Sequence, residues 1–584
     1  MENKEKAENL SKKRHTLAHL LAEAVIENYP SVQLTLGPAI DTGFYYDIDF
    51  GADKISDADL EKIEKTMRKN LSKWTEFSHQ EVTADEAKAV FKNNSYKTEL
   101  IEEITGRGEP ITLYTCGGFT DLCRGGHSEH PSKEITPDSF KLSRVAGAYW
   151  RGDEKNKMLT RIYGLAFDTK EELVAYETQL EEAKKRDHKV IGREMGLFTF
   201  SPLVGAGLPL WTPKGTIIRE LLNDFVWELR KVKGYEKVCI PHITKRELYD
   251  TSGHWDKYAD DLFKIHTRED HLYAMKPMNC PHHTQIFDAE PRSYRDMPQR
   301  YAETTMVYRD EQSGELSGLS RVLSITQDDA HVFCRETQIE EECMAVWDIV
   351  ETFYKTFGFD LKVRFSTHDP KERTKYLGSD EVWAKAEGAL ESLMKKKGVE
   401  WMDGTGEAAF YGPKIDFIAK DSIGRVLQVA TIQLDFNQPK NFGLVCTNEK
   451  GEKEQVVMIH AAIMGSIERF MSTLIEHTAG VFPLWLSPTQ VRIVPIGDNE
   501  IEYATNLRKT LRENGIRTDL DLGNDSFGKK IRNAKTEKIP YIAVIGKKEV
   551  EAGQVTLEGR TEKFVLSIED VVKKLFEETK NKIN

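Results

Sequence analysis

The chain has 584 residues, 39% of them hydrophobic and 30% charged, with a formal net charge of −13. That length exceeds what one hydrophobic core supports, so three or four domains are expected, and the composition excludes a disordered or fibrous chain. No apolar run approaches ~20 residues, no apolar core follows the amino-terminal MENKEKAENLSKKRH, and the seven cysteines are scattered; membrane span, export signal and disulfide framework are set aside in favour of a reducing cytoplasm.

Leu17, Leu20, Leu21, Val25 and Ile26 recur at helical spacing and predict a helix over residues 1 to about 30. Short strands and a charged helix around ISDADLEKIEKTMRKNLSKW follow, then cysteine- and glycine-rich turns from Cys116 to His127. TKEELVAYETQLEEAKKRDHK reads as a charged helix connecting two domains. KGTIIRELLNDFVWELRKVKGYEKVCIP predicts a long helix and ends at Pro241. From about 190 to 487 helices mix with strands such as HLYAMKP, RVLSIT and RVLQVATIQLDF, and short turns favour a largely antiparallel sheet flanked by helices. Within it, Tyr301 to His331 reads as a hairpin. Arg309 and Glu311 stand just before its turn-rich loop, and Asp328, Asp329 and His331 stand at its far end. GSIERF places Arg469 on a helix. WLSPTQ, with Pro488, marks a boundary, and strand and helix alternate beyond it. The expected fold is a multidomain α+β protein with domains 1–186, 187–487 and 488–584. It has no internal repeat or low-complexity segment.

Two arginines on separate rigid elements, Arg309 and Arg469, suit an extended polyphosphate. Cys280, His331 and His460 are zinc-type donors, but their spacing forms no local metal motif, and isolated cysteines and histidines are usually structural. His15 and His19 are four apart on one helix face, and Cys123 and His127 repeat that spacing. By spacing such a set suits a tetrahedral structural zinc site, or core histidines, which a doubled motif disfavours. His254 in TSGHW is a candidate base, its ordinary pKa being ~6.5, or a surface loop histidine. The acidic balance does not itself suggest nucleic acid, yet KKRH, KKRDHK and FGKKIRNAK are local basic clusters that could dock structured RNA.

The order of these motifs resembles class II aminoacyl-tRNA synthetases. MKPMNCPHH, FYGPKIDF, TIQLDF, MIHAAIMGSIERF, RHTLAHLLAEAV and DLCRGGH further resemble threonyl-tRNA synthetases over essentially the whole chain. The resemblance implies an antiparallel-sheet catalytic core, an α+β amino-terminal editing domain and an α/β carboxy-terminal anticodon-binding domain. The implied reaction joins L-threonine to tRNA(Thr) through an adenylate, with ATP and Mg²⁺, and hydrolyses mischarged seryl-tRNA(Thr). By resemblance, Arg309 meets the α-phosphate of ATP and Arg469 the γ-phosphate. Glu311, Arg321 and Thr431 complete the ATP side, and His254 lies near the terminal ribose. One zinc per subunit is implied on Cys280, His331 and His460, with Met278, Asp329, Tyr411, Lys414 and Gln433 lining the amino-acid pocket. A zinc that binds the amino group and the hydroxyl would reject valine, which an apolar pocket separates from threonine by only ~10²-fold. Serine keeps the hydroxyl, so a second site is needed; His15, His19, Lys97, Asp121, Cys123 and His127 match the family's editing positions. Gly126 replaces the proline of the family's usual CRGPH, which loosens that loop.

Glu549 is the expected anticodon contact; where the family shows a short strand ending in arginine, Glu558 comes first here and Arg560 follows. A cytoplasmic homodimer through the long helix is expected, without the small ubiquitin-like domain that often precedes the editing region. Rivals are a seryl or prolyl ligase, a non-catalytic RNA-binding regulator, and a free-standing editing factor.

Overall fold

The computed structural model describes residues 2–422 and 424–582. The chain divides into two compact units, Met1–Glu181 and Glu182–Asn584.

In the first unit, helix α1 (Glu2–Asn28) turns Leu17, Leu20, Leu21 and Val25 inward, each at most 1% exposed. They meet an antiparallel sheet of β1 (Gln33–Leu34), β2 (Ala39–Ile40), β3 (Gly43–Asp49), β7 (Phe140–Tyr149) and β8 (Met158–Ala166), ordered β1-β3-β8-β7 with β2 beside β3. A second sheet joins β4 (Ser78–Val82), β5 (Ile111–Cys116) and β6 (Phe119–Leu122). The stretch expected to be turns therefore contains a strand. Gly117 and Gly118, at φ +62° and +102°, close a two-residue hairpin between β5 and β6, which side chains would strain. Helix α2 (Ser95–Gly106) is capped by Asn94, whose side chain accepts from the Lys97 amide at 3.0 Å. The connector helix Lys170–Lys185 stops before RDHK, because the Asp187 side chain caps a new helix, α3 (His188–Glu194).

The second unit is built on an eight-stranded sheet. Helix α4 (Pro213–Lys231) opens with Thr212 as N-cap and proline in its first turn. In chain order the strands are β9 (Glu236–Lys237), β10 (Gln299–Tyr308), β11 (Ser324–Cys334), β12 (Asp360–Thr367), β13 (Trp401–Thr405), β14 (Lys414–Lys420), β15 (Val426–Asp435) and β16 (Val457–Ala462). Their order across the sheet is β9-β10-β11-β16-β15-β14-β12-β13, and only the two edge pairs are parallel. β10 and β11 are the expected hairpin, although β11 begins at Ser324: Arg321 to Leu323 remain in the loop, where the Leu323 amide donates to Gly207.

Alternation splits this sheet into two faces. Ala302, Ala330, Ala461, Ile432 and Ile415 lie opposite one another and join the main core, beneath helix α6 (Ile339–Thr356) and α4. On the other face one transverse row reads Tyr301, His331, His460, Gln433, Lys414, Ser366. Helix α5 (Cys280–Asp288) and helix α7 (Ile467–Thr478) complete the surroundings. The last part of the unit, from Val491, is a five-stranded sheet with three parallel strands and intervening helices, the expected α/β pattern.

Candidate active site and a second polar pocket

The row and the first turn of α5 together bring Cys280 to His460, 180 positions away in sequence. His331 Nε2 lies 3.1 Å from His460 Nδ1, and the Cys280 thiol, on the first turn of α5, completes a set whose ligand atoms all lie within 4.8 Å. All three residues are buried. His460 Nε2 lies 3.0 Å from the Asp435 carboxylate. A carboxylate only accepts, so that nitrogen carries the proton and Nδ1 presents its lone pair to the other donors. Gln438 Nε2 approaches Cys280 Sγ at 3.7 Å. Burial, reinforced by Asp329, pushes the Cys280 thiol well above its ordinary range, and burial keeps the His331 imidazole neutral. One thiol and two imidazoles, one of them backed by a carboxylate, form a donor set that fits zinc.

The expected amino-acid pocket surrounds this trio. The Tyr411 ring stacks on His460 with centroids 4.7 Å apart, and its hydroxyl bonds to Gln433. Lys414 pairs with Asp416 at 2.9 Å. The pleat separates the two acids of DDAH. Asp329 faces the site, takes a hydrogen bond from Asn279 at 3.0 Å and is pushed up to about 6 by burial. Asp328 points to the core face, where it accepts from Arg230 and from the amides of Ile463 and Met464. Met278 Sδ accepts from Arg309 Nη2 at 3.2 Å, so this methionine touches an arginine as well as packing. His254 is fully buried, which overturns the surface-loop alternative. Its Nδ1 bonds to Ser252, its Nε2 lies 3.6 Å from Cys280 Sγ, and burial lowers its pKa to about 3.

Beside the trio opens a cleft of about 680 Å³. Arg309, Glu311, Arg321, Thr431 and Arg469 all line it, so every expected ATP-side residue converges there. Arg309 follows β10, its amide donating to Leu323 at 3.0 Å, and its buried Nε has no protein partner among the described residues. Arg469 is exposed on the first turn of α7, which Ser466 caps. Gly465, at φ +68°, leads into that cap. Arg321 pairs with Glu311 at 2.6 Å and Glu315 at 2.8 Å. Asp435, Gln438 and His283, whose Nδ1 lies 2.8 Å from His331 Nδ1, escaped the sequence reading. Alternation from Thr431 and Gln433 reaches Asp435, so that one was within reach.

The first unit holds a separate pocket of about 530 Å³. His15 and His19 project from α1, Cys123 follows β6, and the ligand atoms of these three and His127 lie within 4.8 Å. His15 Nε2 is 3.2 Å from His19 Nε2 and 3.5 Å from Cys123 Sγ; His127 Nε2 is 3.4 Å from that sulfur. Asp121 is buried behind them, 3.2 Å from His19 Nδ1 and paired with Lys97. Tyr46, which the sequence reading missed, donates to Asp121 at 2.6 Å. Burial opposes charge here, yet Asp121 and Cys123 raise His19 to about 9, and His127, His15 and His19 hold the Cys123 thiol down at about 3. Glu549 lies on a short helix of the carboxy-terminal part. Its carboxylate accepts from the Gly546 amide and from Thr556 in the carboxy-terminal sheet. Arg560 Nη2 is engaged by the carbonyls of Phe482 and Lys538.

The sheet matches a known architecture. Residues 263–478 fit the family profile described as tRNA synthetase class II core domain (G, H, P, S and T), residues 490–578 the anticodon binding domain, and residues 111–163 the threonyl and alanyl tRNA synthetase second additional domain. Fold and site thus define a class II aminoacyl-tRNA synthetase. A threonine--tRNA ligase of Rubrobacter xylanophilus is 47% identical over 94% of this chain and 85% of its own length, and one of Phocaeicola vulgatus is 48% identical over 98% and 88%. The solved RNA binding domain of threonyl-tRNA synthetase from Cryptosporidium parvum Iowa II superposes with a TM-score of 0.64 at 35% identity, covering 67% of this chain and 98% of that one. The chain belongs to the threonine–tRNA ligase family. Among the described residues no helix is long and apolar enough to cross a membrane.

Proposed function

We propose that the second unit activates L-threonine with ATP and Mg²⁺, forms threonyl-adenylate and transfers threonine to tRNA(Thr), and that the first unit hydrolyses seryl-tRNA(Thr). The observation that carries the reading is the Cys280–His331–His460 set standing beside a cleft lined by Arg309 and Arg469 among its four arginines. Cys280, His331 and His460 would hold a zinc ion, which supplies a Lewis-acid position for the amino and hydroxyl groups of threonine. Asp329, Tyr411 and Gln433 shape the pocket around the amino acid. Arg309 and Arg469, set on a strand end and a helix, brace the triphosphate from two sides and meet the charge that develops as pyrophosphate leaves. His254, uncharged and next to the trio, is placed to handle a ribose hydroxyl proton.

In the first unit the imidazolium of His19 beside the Cys123 thiolate forms a charged pair in a solvent-open pocket, and His15 and His127 flank it. Such an array orients a water against an ester. The need for it follows from size: one methyl separates serine from threonine, about 1–3 kcal/mol in a pocket. The reading extends to a cytoplasmic homodimer joined through α4, and to an anticodon contact at Glu549.

Threonine-dependent ATP–pyrophosphate exchange across the amino acids tests the synthetic half. Threonine is expected to exchange, valine not. R309A and R469A should each lower the rate about 10²–10³-fold. Exchange with every amino acid alike, or near-normal rates in both variants, would overturn the assignment.

A further inference from the structure

His188 lies outside every motif that the reaction uses, yet it is 3% exposed and joins three elements around the ATP cleft. It begins α3. Its Nδ1 lies 2.6 Å from Glu476 Oε1, and its amide donates to the same oxygen at 3.1 Å. Its Nε2 accepts from the Leu319 amide at 3.0 Å. The partners fix the tautomer. Glu476 remains a carboxylate: burial opposes its charge, but His188 and Arg425 draw its pKa below the ordinary value. The proton therefore sits on Nδ1, and Nε2 is a bare acceptor.

Both partners belong to the cleft. Glu476 sits on α7, two turns beyond Arg469, and both line the cavity. Leu319 lies in the loop between β10 and β11, two residues before Arg321, and the next residue, Ser320, bonds to Ser472 of α7 at 3.1 Å. Gly318 permits the approach: a Cβ there would lie 2.4 Å from His188 Nε2, and its φ is +51°. Leu319 is fully buried in the same core as Ile191 and Met195 of the α3 segment, so the loop is seated at this point.

We infer that His188 is a positioning residue for ATP: through its Nε2–Leu319 bond it holds the Arg321 loop in register with the helix that carries Arg469. The inference rests on the proposed ATP cleft. It assigns the role to the acceptor nitrogen, and the two ends of the imidazole can be separated. Glutamine places an oxygen near the Nε2 position and keeps an acceptor for Leu319. Asparagine reaches only the Nδ1 position; it keeps a donor for Glu476 and loses Leu319.

The test measures KM for ATP and for threonine, and kcat, in pyrophosphate exchange by the full chain, the H188Q variant and the H188N variant. H188N should raise the ATP KM roughly tenfold, the scale of one lost hydrogen bond, with the threonine KM within twofold of the parent. H188Q should stay within about threefold of the parent on both. A merely structural histidine predicts the opposite pattern, equal losses in both variants or losses shared between the two substrates, and either result overturns the inference. If both variants unfold, the parent with G318A gives the same reading from the loop side: an unchanged ATP KM overturns the inference. Absence of threonine-dependent exchange in the parent would instead refute the proposed function.

Discussion

Asp435 offers the sharpest test of the buried donor set. Its carboxylate takes four hydrogen bonds: from His460 Nε2 at 3.0 Å, from Gln438 Nε2 at 2.9 Å, and from the amides of Asn437 and Gln438 at 2.7 and 3.0 Å. In D435N the carbonyl oxygen can still serve the two amides, but an NH₂ group then faces His460 and Gln438. Two donors cannot share that space, so His460 must move its proton to Nδ1, the nitrogen that faces Cys280 and His331. Loss of such a supporting carboxylate typically costs 10–100-fold in metal affinity, or about 1.4–2.8 kcal/mol. Zinc affinity is read by competition with a chromophoric chelator, and threonine-dependent exchange is followed in parallel. D435N is expected to lose zinc at chelator concentrations the parent survives, and to regain exchange in excess zinc. Unchanged zinc affinity in a variant that melts like the parent would refute the tautomer argument.

Two further outcomes are expected. The H19A, C123A double variant should threonylate normally and accumulate seryl-tRNA in charging reactions with serine; no more seryl-tRNA than the parent makes would mark the cluster as a structural staple. Glu537 joins Arg492 and Lys214 at 2.7 Å each; burial works against its charge, but these partners hold its pKa below the ordinary carboxylate value. That contribution is complete above the unfolded carboxylate pKa and disappears as pH falls through the lower folded value. E537Q should therefore be less stable by about 0.5–1 kcal/mol at neutral pH, and urea melts should show the gap closing below about pH 4–5; a constant gap down to pH 3 would contradict the pairing.

Local strings were legible in the sequence. The hairpin around Arg309, the helix of Arg469 and the four-residue spacing of His15 and His19 on α1 all depend on neighbours within a few residues, and the structure has each of them. What lay beyond reach depends on register. His331 and His460 are 129 positions apart, and nothing in either segment says which residue faces which. The burial of His254 was equally hidden, because TSGHW has loop composition while the rings of Tyr258 and Phe410 close over it. His188 was read as part of a connector. Its role appears only once Glu476 and Leu319 are brought to it from 288 and 131 residues away.

The row Tyr301–His331–His460–Gln433–Lys414 makes the pocket a property of hydrogen-bonded ladders, not of loops. Strand pairing is quantised: a strand slides by whole residues or not at all, and a one-residue slip turns every side chain to the opposite side. The spacing between the two imidazoles is consequently all-or-none under insertion or deletion in β11, β15 or β16. Lengthening the surface connections leaves it untouched, whereas one added residue inside β16 ahead of His460 would turn that histidine toward the helix-packed core. The side chains facing the trio can then change only by exchange at fixed rungs, whereas Arg309 at a strand end and Arg469 in the first turn of α7 stand outside that row and are free to adjust separately.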